Sequence, residues 1–139
     1  MNYFDFNVRV YYDSTDAGGV VYHSKYMDFC ERARTEFLRS KNIIQSTLLK
    51  EKGIGFVVHK ANLEFKKSAK LDDLLRIETK VIEGRGVVLK MEQNIFLISR
   101  EGKDVDNELL FHMDIDLVCI NRDFRAVRIP KEINDILLS

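Results

Sequence analysis

Apolar and polar residues alternate from the start of the chain: Phe4, Phe6, Val8, Val10 and Tyr12 interleave with Asp5, Asn7, Arg9, Tyr11 and Asp13. A period of two predicts a half-buried strand. STDAGGVV follows, a loop by its Ser, Thr, Asp and Gly content. From about His23 to Lys41 the period changes. Tyr26, Phe29, Cys30, Ala33 and Phe37 recur every three or four residues, the apolar stripe of a helix about 27 Å long. Glu31, Arg32, Arg34, Glu36 and Arg39 fall on its other faces. A shorter helix is expected through Ser46–Lys52, closed by Gly53.

Beyond Gly53 the period of two returns. Val57, His59, Ala61, Leu63 and Phe65 alternate with Val58, Lys60, Asn62, Glu64 and Lys66. The charged turn KKSAKLDD leads to Leu75, Ile77, Thr79 and Val81, and EGRG ends that strand. Val87, Leu89, Met91, Gln93, Ile95 and Leu97 begin the next strand, SREGKDVDN reads as a second hairpin turn, and Leu109 to Cys119 make a last long strand. Pro130, the only proline, opens KEINDILLS, one or two helical turns. Strand, long helix and four antiparallel strands predict an α+β layer fold. A sheet covered by one helix leaves two exposed edges, which predicts pairing of two copies as a homodimer.

Residues 1–139 are one domain by length, long enough to bury roughly two-thirds of the unfolded surface without disulfide or metal. The 22 Lys and Arg balance 22 Asp and Glu, which argues against a nucleic-acid binder working by bulk charge. Cys30 and Cys119 sit on apolar patterns without a CxxC or a His/Cys cluster, so both read as small buried hydrophobes, and no metal or cofactor is expected. No run approaches the roughly 18 apolar residues of a membrane span. MNYFDFNVRV lacks the features of a secretory signal, so the expected location is the cytoplasm.

DSTDAGGVVYHSKYMDFCERARTEFLR closely resembles the signature of hotdog-fold thioesterases of the 4-hydroxybenzoyl-CoA thioesterase type. Within them it is most similar to the small bacterial acyl-CoA thioesterases of the YbgC type, associated with the Tol-Pal envelope system. ANLEFKKSAKLDDLL resembles the family's next strand and turn, with Ser68 where many relatives carry proline. The resemblance covers residues 8–76 and implies a five-stranded antiparallel sheet wrapped around one long helix. It also implies subunits paired edge to edge as a dimer or tetramer, and acyl-CoA hydrolysis at sites in the dimer interface. It carries the catalytic acid over to Asp16 and a second catalytic residue to His23. More distant hotdog enzymes use a helix glutamate, for which Glu31 and Glu36 are available, but the TDAGG match favours Asp16. An acyl carrier protein is a further expected partner, and a peripheral place at the inner face of the cell membrane a further expected location.

The chemistry fits those residue types. A thioester is already activated, and a thiol with a pKa of about 8.5 leaves with little help. The reaction needs an attacking oxygen and a stabilised oxyanion. Asp16 can act as a general base on water or as a direct nucleophile. Unpaired N–H groups at the helix start, from Val21, Tyr22 or His23, can form an oxyanion hole. Gly18 and Gly19 allow positive φ and close approach of substrate to the backbone. The CoA phosphates call for cations, with Lys66, Lys67 and Lys70 in one turn, Arg85 in another and Arg122, Arg125 and Arg128 in a third group. His59 and His112 lie inside strand patterns and read as structural, and Tyr12 and Tyr22 as packing residues. A hotdog dehydratase is disfavoured, because no HFP-type segment or GDxNPxH motif is present. The competing reading is a non-catalytic acyl-carrier or envelope-complex binding module on the same fold.

Overall fold

The computed structural model describes residues 3–139. Five strands form one antiparallel sheet: β1 (Tyr3–Arg9), β2 (Gly55–Phe65), β3 (Leu74–Arg85), β4 (Val88–Arg100) and β5 (Lys103–Ile120). Their order across the sheet is β1-β3-β4-β5-β2. The helices are α1 (His23–Ser40), α2 (Gln45–Lys52) and α3 (Lys131–Leu138). None of them is long and apolar enough to cross a membrane.

α1 lies across the concave face of the sheet. Its stripe of Tyr26, Phe29, Cys30, Ala33 and Phe37 is buried against Ile77, Ile95, Met113 and Ile115. Full burial of Phe29 and Phe37 contributes about 1.5–3 kcal/mol each. Inward and outward residues alternate through β3, so that Leu75, Ile77, Thr79 and Val81 are buried. Gly53 closes α2 at φ 67, and the Arg122 guanidinium donates there to the carbonyls of Leu49 and Lys50 at 3.2 and 2.9 Å. The Leu49 carbonyl also accepts from the capping Gly53 N–H at 3.0 Å, while that of Lys50 is a helix-end acceptor with no partner inside the helix.

Four expectations change. The first strand stops at Arg9 instead of running to Tyr12, because a single 3-10 turn, Tyr12–Ser14, redirects the chain and leaves Tyr11 and Tyr12 exposed. The alternation expected through β2 is interrupted by a bulge between Val58 and Lys60, which puts Val58, Ala61, Leu63 and Phe65 on the concave side. The nine-residue turn SREGKDVDN contracts to Glu101–Gly102. Both residues are left-handed (φ 53 and 74), a geometry that matches strand twist and lets β5 begin at Lys103. Arg34 is also misplaced by the helical pattern. It is only 9% exposed and donates through Nη1 to Gln93 Oε1 at 2.9 Å. Gln93 Nε2 in turn donates to the Cys30 carbonyl and to Thr79 Oγ1, both at 2.9 Å. Burial pulls the Arg34 guanidinium below its ordinary value.

Both cysteines are free and buried. Burial pushes the Cys30 thiol up to about 12 from its ordinary 9.0, against the smaller opposing pull of Arg34. A neutral thiol is favoured in the folded state, so this group costs nothing below about pH 9 and erodes stability as pH rises from there through about 12. Cys30 is therefore expected to ignore an aromatic disulfide reagent at pH 8 until the chain is unfolded in denaturant. Rapid labelling of the native protein at Cys30, read by peptide mass, would contradict this.

Candidate active site

The loop between β1 and α1 is a small built structure. Thr15 bridges Val21, the Asp16 N–H donates to the Val20 carbonyl at 2.9 Å, and the Gly19 N–H donates to the Asp16 carbonyl at 3.0 Å. The Asp16 carboxylate is fastened inside this hairpin through one oxygen. Oδ1 accepts from the Gly18 N–H at 2.8 Å and from the Val20 N–H at 3.2 Å. Oδ2 has no hydrogen-bond donor among the described residues, and Asp16 is exposed. One oxygen sets the direction of the carboxylate and the other is left open.

The two glycines divide the work expected of both. Gly19 has the left-handed backbone, at φ 77. Gly18 does not, and its requirement is space: a Cβ there would lie 3.3 Å from Asp16 Oδ1. Beyond the loop, α1 starts without a capping side chain, because its N-cap is Tyr22. The amides of Val21 and Tyr22, expected to face substrate, are already committed. They donate to the carbonyls of Ala69 (3.0 Å) and Ser14 (3.2 Å). The next two N–H groups, of His23 and Ser24, have no acceptor among the described residues. They sit at the positive end of the helix dipole, where a developing oxyanion is stabilised.

His23 is the first residue of α1. Its ring lies 4.5 Å from that of Phe65, at the end of β2. Phe65 belongs to an aromatic cluster with Tyr26 and Phe111, at centroid separations of 5.3 and 5.1 Å. The Tyr26 hydroxyl accepts from the buried Ala69 N–H at 2.9 Å, and burial raises the pKa of that phenol. A cavity of about 100 Å³ opens here, lined by His23, Tyr26, Phe65, Lys66, Lys67 and Ser68. Two of the cations expected near CoA phosphates thus share a wall with His23. Lys66 and Lys67 are each paired with a carboxylate, Glu64 at 2.6 Å and Glu108 at 2.9 Å. Arg85 is not brought to them. It ends β3 at the opposite side of the sheet from Leu74, roughly 35 Å away along the strand. The segment carrying Arg128 runs close to Arg85, since the Ile129 N–H donates to the Gly86 carbonyl at 2.9 Å. Asp16 and His23 make no hydrogen bond with each other.

The aromatic cluster beneath His23 is not legible as a cluster in the sequence, since Tyr26, Phe65 and Phe111 come from three elements. His112 takes a structural place on the convex face, with Nδ1 2.7 Å from Asn94 Oδ1 and Nε2 3.2 Å from Asp114 Oδ2.

A family model described as the thioesterase superfamily matches residues 18–101, more than half of the chain. The chain belongs to the thioesterase superfamily. Over 133 residues it is 42% identical to a Haemophilus influenzae protein named acyl-CoA thioesterase YbgC, covering 95% of this chain and 92% of that protein. A probable thioesterase from Bartonella henselae superposes with a TM-score of 0.80 at 34% identity, covering 92% of this thioesterase and 99% of that chain. The 4-hydroxybenzoyl-CoA thioesterase of Pseudomonas sp. strain CBS-3 superposes with a TM-score of 0.87 at 22% identity, over 96% and 98% of the two chains. That last likeness establishes the shared hotdog fold.

Proposed function

We propose that this thioesterase hydrolyses acyl-CoA to the free acid and CoA. The observation that carries the reading is the Asp16 carboxylate, fixed through Oδ1 with Oδ2 open, on the loop that leads into an uncapped helix start. Asp16 Oδ2 takes a proton from water or attacks the thioester carbonyl itself. The N–H groups of His23 and Ser24 receive the carbonyl oxygen as it gains charge. The His23 imidazole, seated on Phe65, is the second polar group within reach of a substrate bound there. Lys66 and Lys67 are the candidates at that mouth for CoA phosphate, and exchanging a carboxylate partner for a phosphate keeps each ammonium paired.

The working unit in this reading is at least a homodimer. β2 is an eleven-residue edge strand whose concave-side Leu63 and Phe65 are each 42% exposed, with Val57 and Val58 exposed beside them. Long apolar edges are normally covered by another strand, and a second copy of β2 supplies one. A cavity of about 280 Å³ along this α1–β2 seam has an apolar wall of Leu38, Phe56, Val58 and Met91 that supports a place for an acyl group, and a polar one of Glu31, Arg34, Thr35 and Gln45.

Thiol release from acyl-CoAs of graded length, with acyl carrier protein thioesters in parallel, tests the proposal when combined with light scattering of the active fraction. Turnover of at least one acyl-CoA by a dimer or larger assembly is expected. No thiol release at any length would overturn the enzymatic reading, and an active monomer would overturn the shared-edge assembly.

A further inference from the structure

A buried carboxylate with no place in the chemistry above lies under the loop that presents Asp16. Asp73 is 1% exposed. Three donors converge on its carboxylate: Arg100 Nε at 2.9 Å on Oδ1, and Arg100 Nη2 at 2.8 Å and the Lys70 N–H at 2.7 Å on Oδ2. Arg100 Nη2 also donates to the Ser68 carbonyl at 3.2 Å. The pair therefore grips the turn 68–73 from inside at Ser68 and Lys70. A two-pronged Arg–carboxylate contact fixes orientation as well as distance.

The outer edge of that turn is bonded to the Asp16 loop. Leu71 N–H donates to the Gly19 carbonyl at 2.9 Å and Val21 N–H to the Ala69 carbonyl at 3.0 Å, with Val20 bridged to Lys70 between them. Val20 N–H is one of the two donors that aim the Asp16 carboxylate. Between the two bonds to the turn lie only Gly19, Val20 and Val21, so a displacement of Lys70 reaches Asp16 through Val20. Ala69, at the centre of the turn, also donates to the Tyr26 hydroxyl beneath His23. One turn thus holds both sides of the site, and the ion pair fastens its 68–70 half. The turn's own backbone closure is a single 3.1 Å bond from Asp73 N–H to the Lys70 carbonyl, and its far end is tied to Val10, which accepts from Asp72 N–H and donates to the Asp73 carbonyl, both at 2.9 Å.

We propose that Asp73 and Arg100 are positioning residues for thioester hydrolysis, which set the height and direction of the Asp16 carboxylate through the 69–71 to 19–21 strap. The proposal rests on the reading of Asp16 as the reacting group. A misplacement of about 1 Å at a reacting group costs about a hundredfold in rate. Asp73→Asn and Arg100→Ala are expected to lower kcat about 10- to 100-fold with KM changed less than about twofold.

The reference is Leu137→Ala, a buried position on α3, the helix that Asn134 ties to Gly84 at the far end of β3. It is expected to lower the melting temperature and leave kcat per folded molecule unchanged. The Arg100 side chain is 28% exposed, so added methylguanidinium can enter the vacated place. It is expected to restore activity to Arg100→Ala severalfold, with no effect on Asp73→Asn and none from sodium chloride at equal ionic strength. Arg100→Lys, which keeps the charge and loses the fork, is the variant to use if Asp73→Asn does not fold.

Unchanged kcat in the folded variants, or losses that follow melting as in Leu137→Ala, would overturn the proposal. A wild type that cleaves no thioester would overturn the functional reading instead. Amide exchange then decides on the strap: the Val21 and Leu71 amides are expected to exchange at least about tenfold faster in Arg100→Ala. Unchanged protection would overturn the mechanical link itself.

Discussion

Replacing Asp16 by asparagine is expected to reduce kcat at least about a hundredfold, the low end for a lost general base, in a protein that folds and assembles as before. An asparagine Oδ1 can still accept from the Gly18 and Val20 amides at 2.8 and 3.2 Å, so the loop is retained. What is lost is the negative charge on the open oxygen. Neither an amide oxygen nor an amide nitrogen takes a proton from water at neutral pH or forms an anhydride. The loss corresponds to about 2.7 kcal/mol of transition-state stabilisation. Asp16→Ala removes the two loop bonds as well, so a further fall from Asn to Ala measures what the Asx-type fastening contributes. Thiol release at saturating acyl-CoA, with circular dichroism to confirm the fold, is the measurement. Asparagine activity within a factor of three of wild type would remove Asp16 from the chemistry and move attention to the helix glutamates.

Gln93→Leu is expected to carry the largest effect on stability. It leaves the Arg34 guanidinium, 9% exposed, without the Oε1 acceptor at 2.9 Å, and it strips Thr79 and the Cys30 carbonyl of their donor. Hydrogen bonds to a charged group contribute about 1.5–3 kcal/mol, and stranding a buried polar atom adds to that, so a loss of about 3 kcal/mol is expected. For a chain of this size that is about 10 °C of melting temperature. The double variant Arg34→Met, Gln93→Leu removes the stranded guanidinium and is expected to recover the share of the loss that Arg34 carries, leaving the share of Thr79 and the Cys30 carbonyl. Urea unfolding of the two singles and the double closes the cycle. A Gln93→Leu variant no less stable than the double would show that Arg34 is satisfied by solvent.

Much of this molecule is written in local pattern. The stripe Tyr26, Phe29, Cys30, Ala33 and Phe37 marks α1 and its buried face, because helical burial repeats every three to four residues. β3 and β4 alternate as read, and the TDAGG segment already points to a carboxylate in a tight loop. The departures arise where tertiary contacts outweigh local signals. SREGKDVDN is polar enough for a long loop, yet a two-residue left-handed turn at Glu101–Gly102 lets the strands absorb the rest. Arg34 lies on the polar side of the helical pattern, but Gln93, a distant residue of β4, gives it a buried partner. The amides of Val21 and Tyr22 look free in any sequence reading of a helix start, and only the approach of Ala69 and Ser14 shows them occupied. Asp73 reads as one more charge in KKSAKLDD until Arg100 is seen beside it.

The two short hairpin tips of the sheet are alike in length and unequal in what they can tolerate. Gly86 and Val87 join β3 to β4 at the end of the sheet away from Asp16, and Glu101 and Gly102 join β4 to β5 at the near end. Lengthening a surface loop ordinarily costs little chain entropy, and exposed tips are where insertions and fused tags are accepted. The second tip is an exception, since its first flanking residue is Arg100 and its register decides where that guanidinium points. For protein engineering this makes the Gly86 tip the place for a graft or a reporter peptide. Over evolutionary time, length variation is expected to accumulate at that tip and to be scarce at Glu101–Gly102.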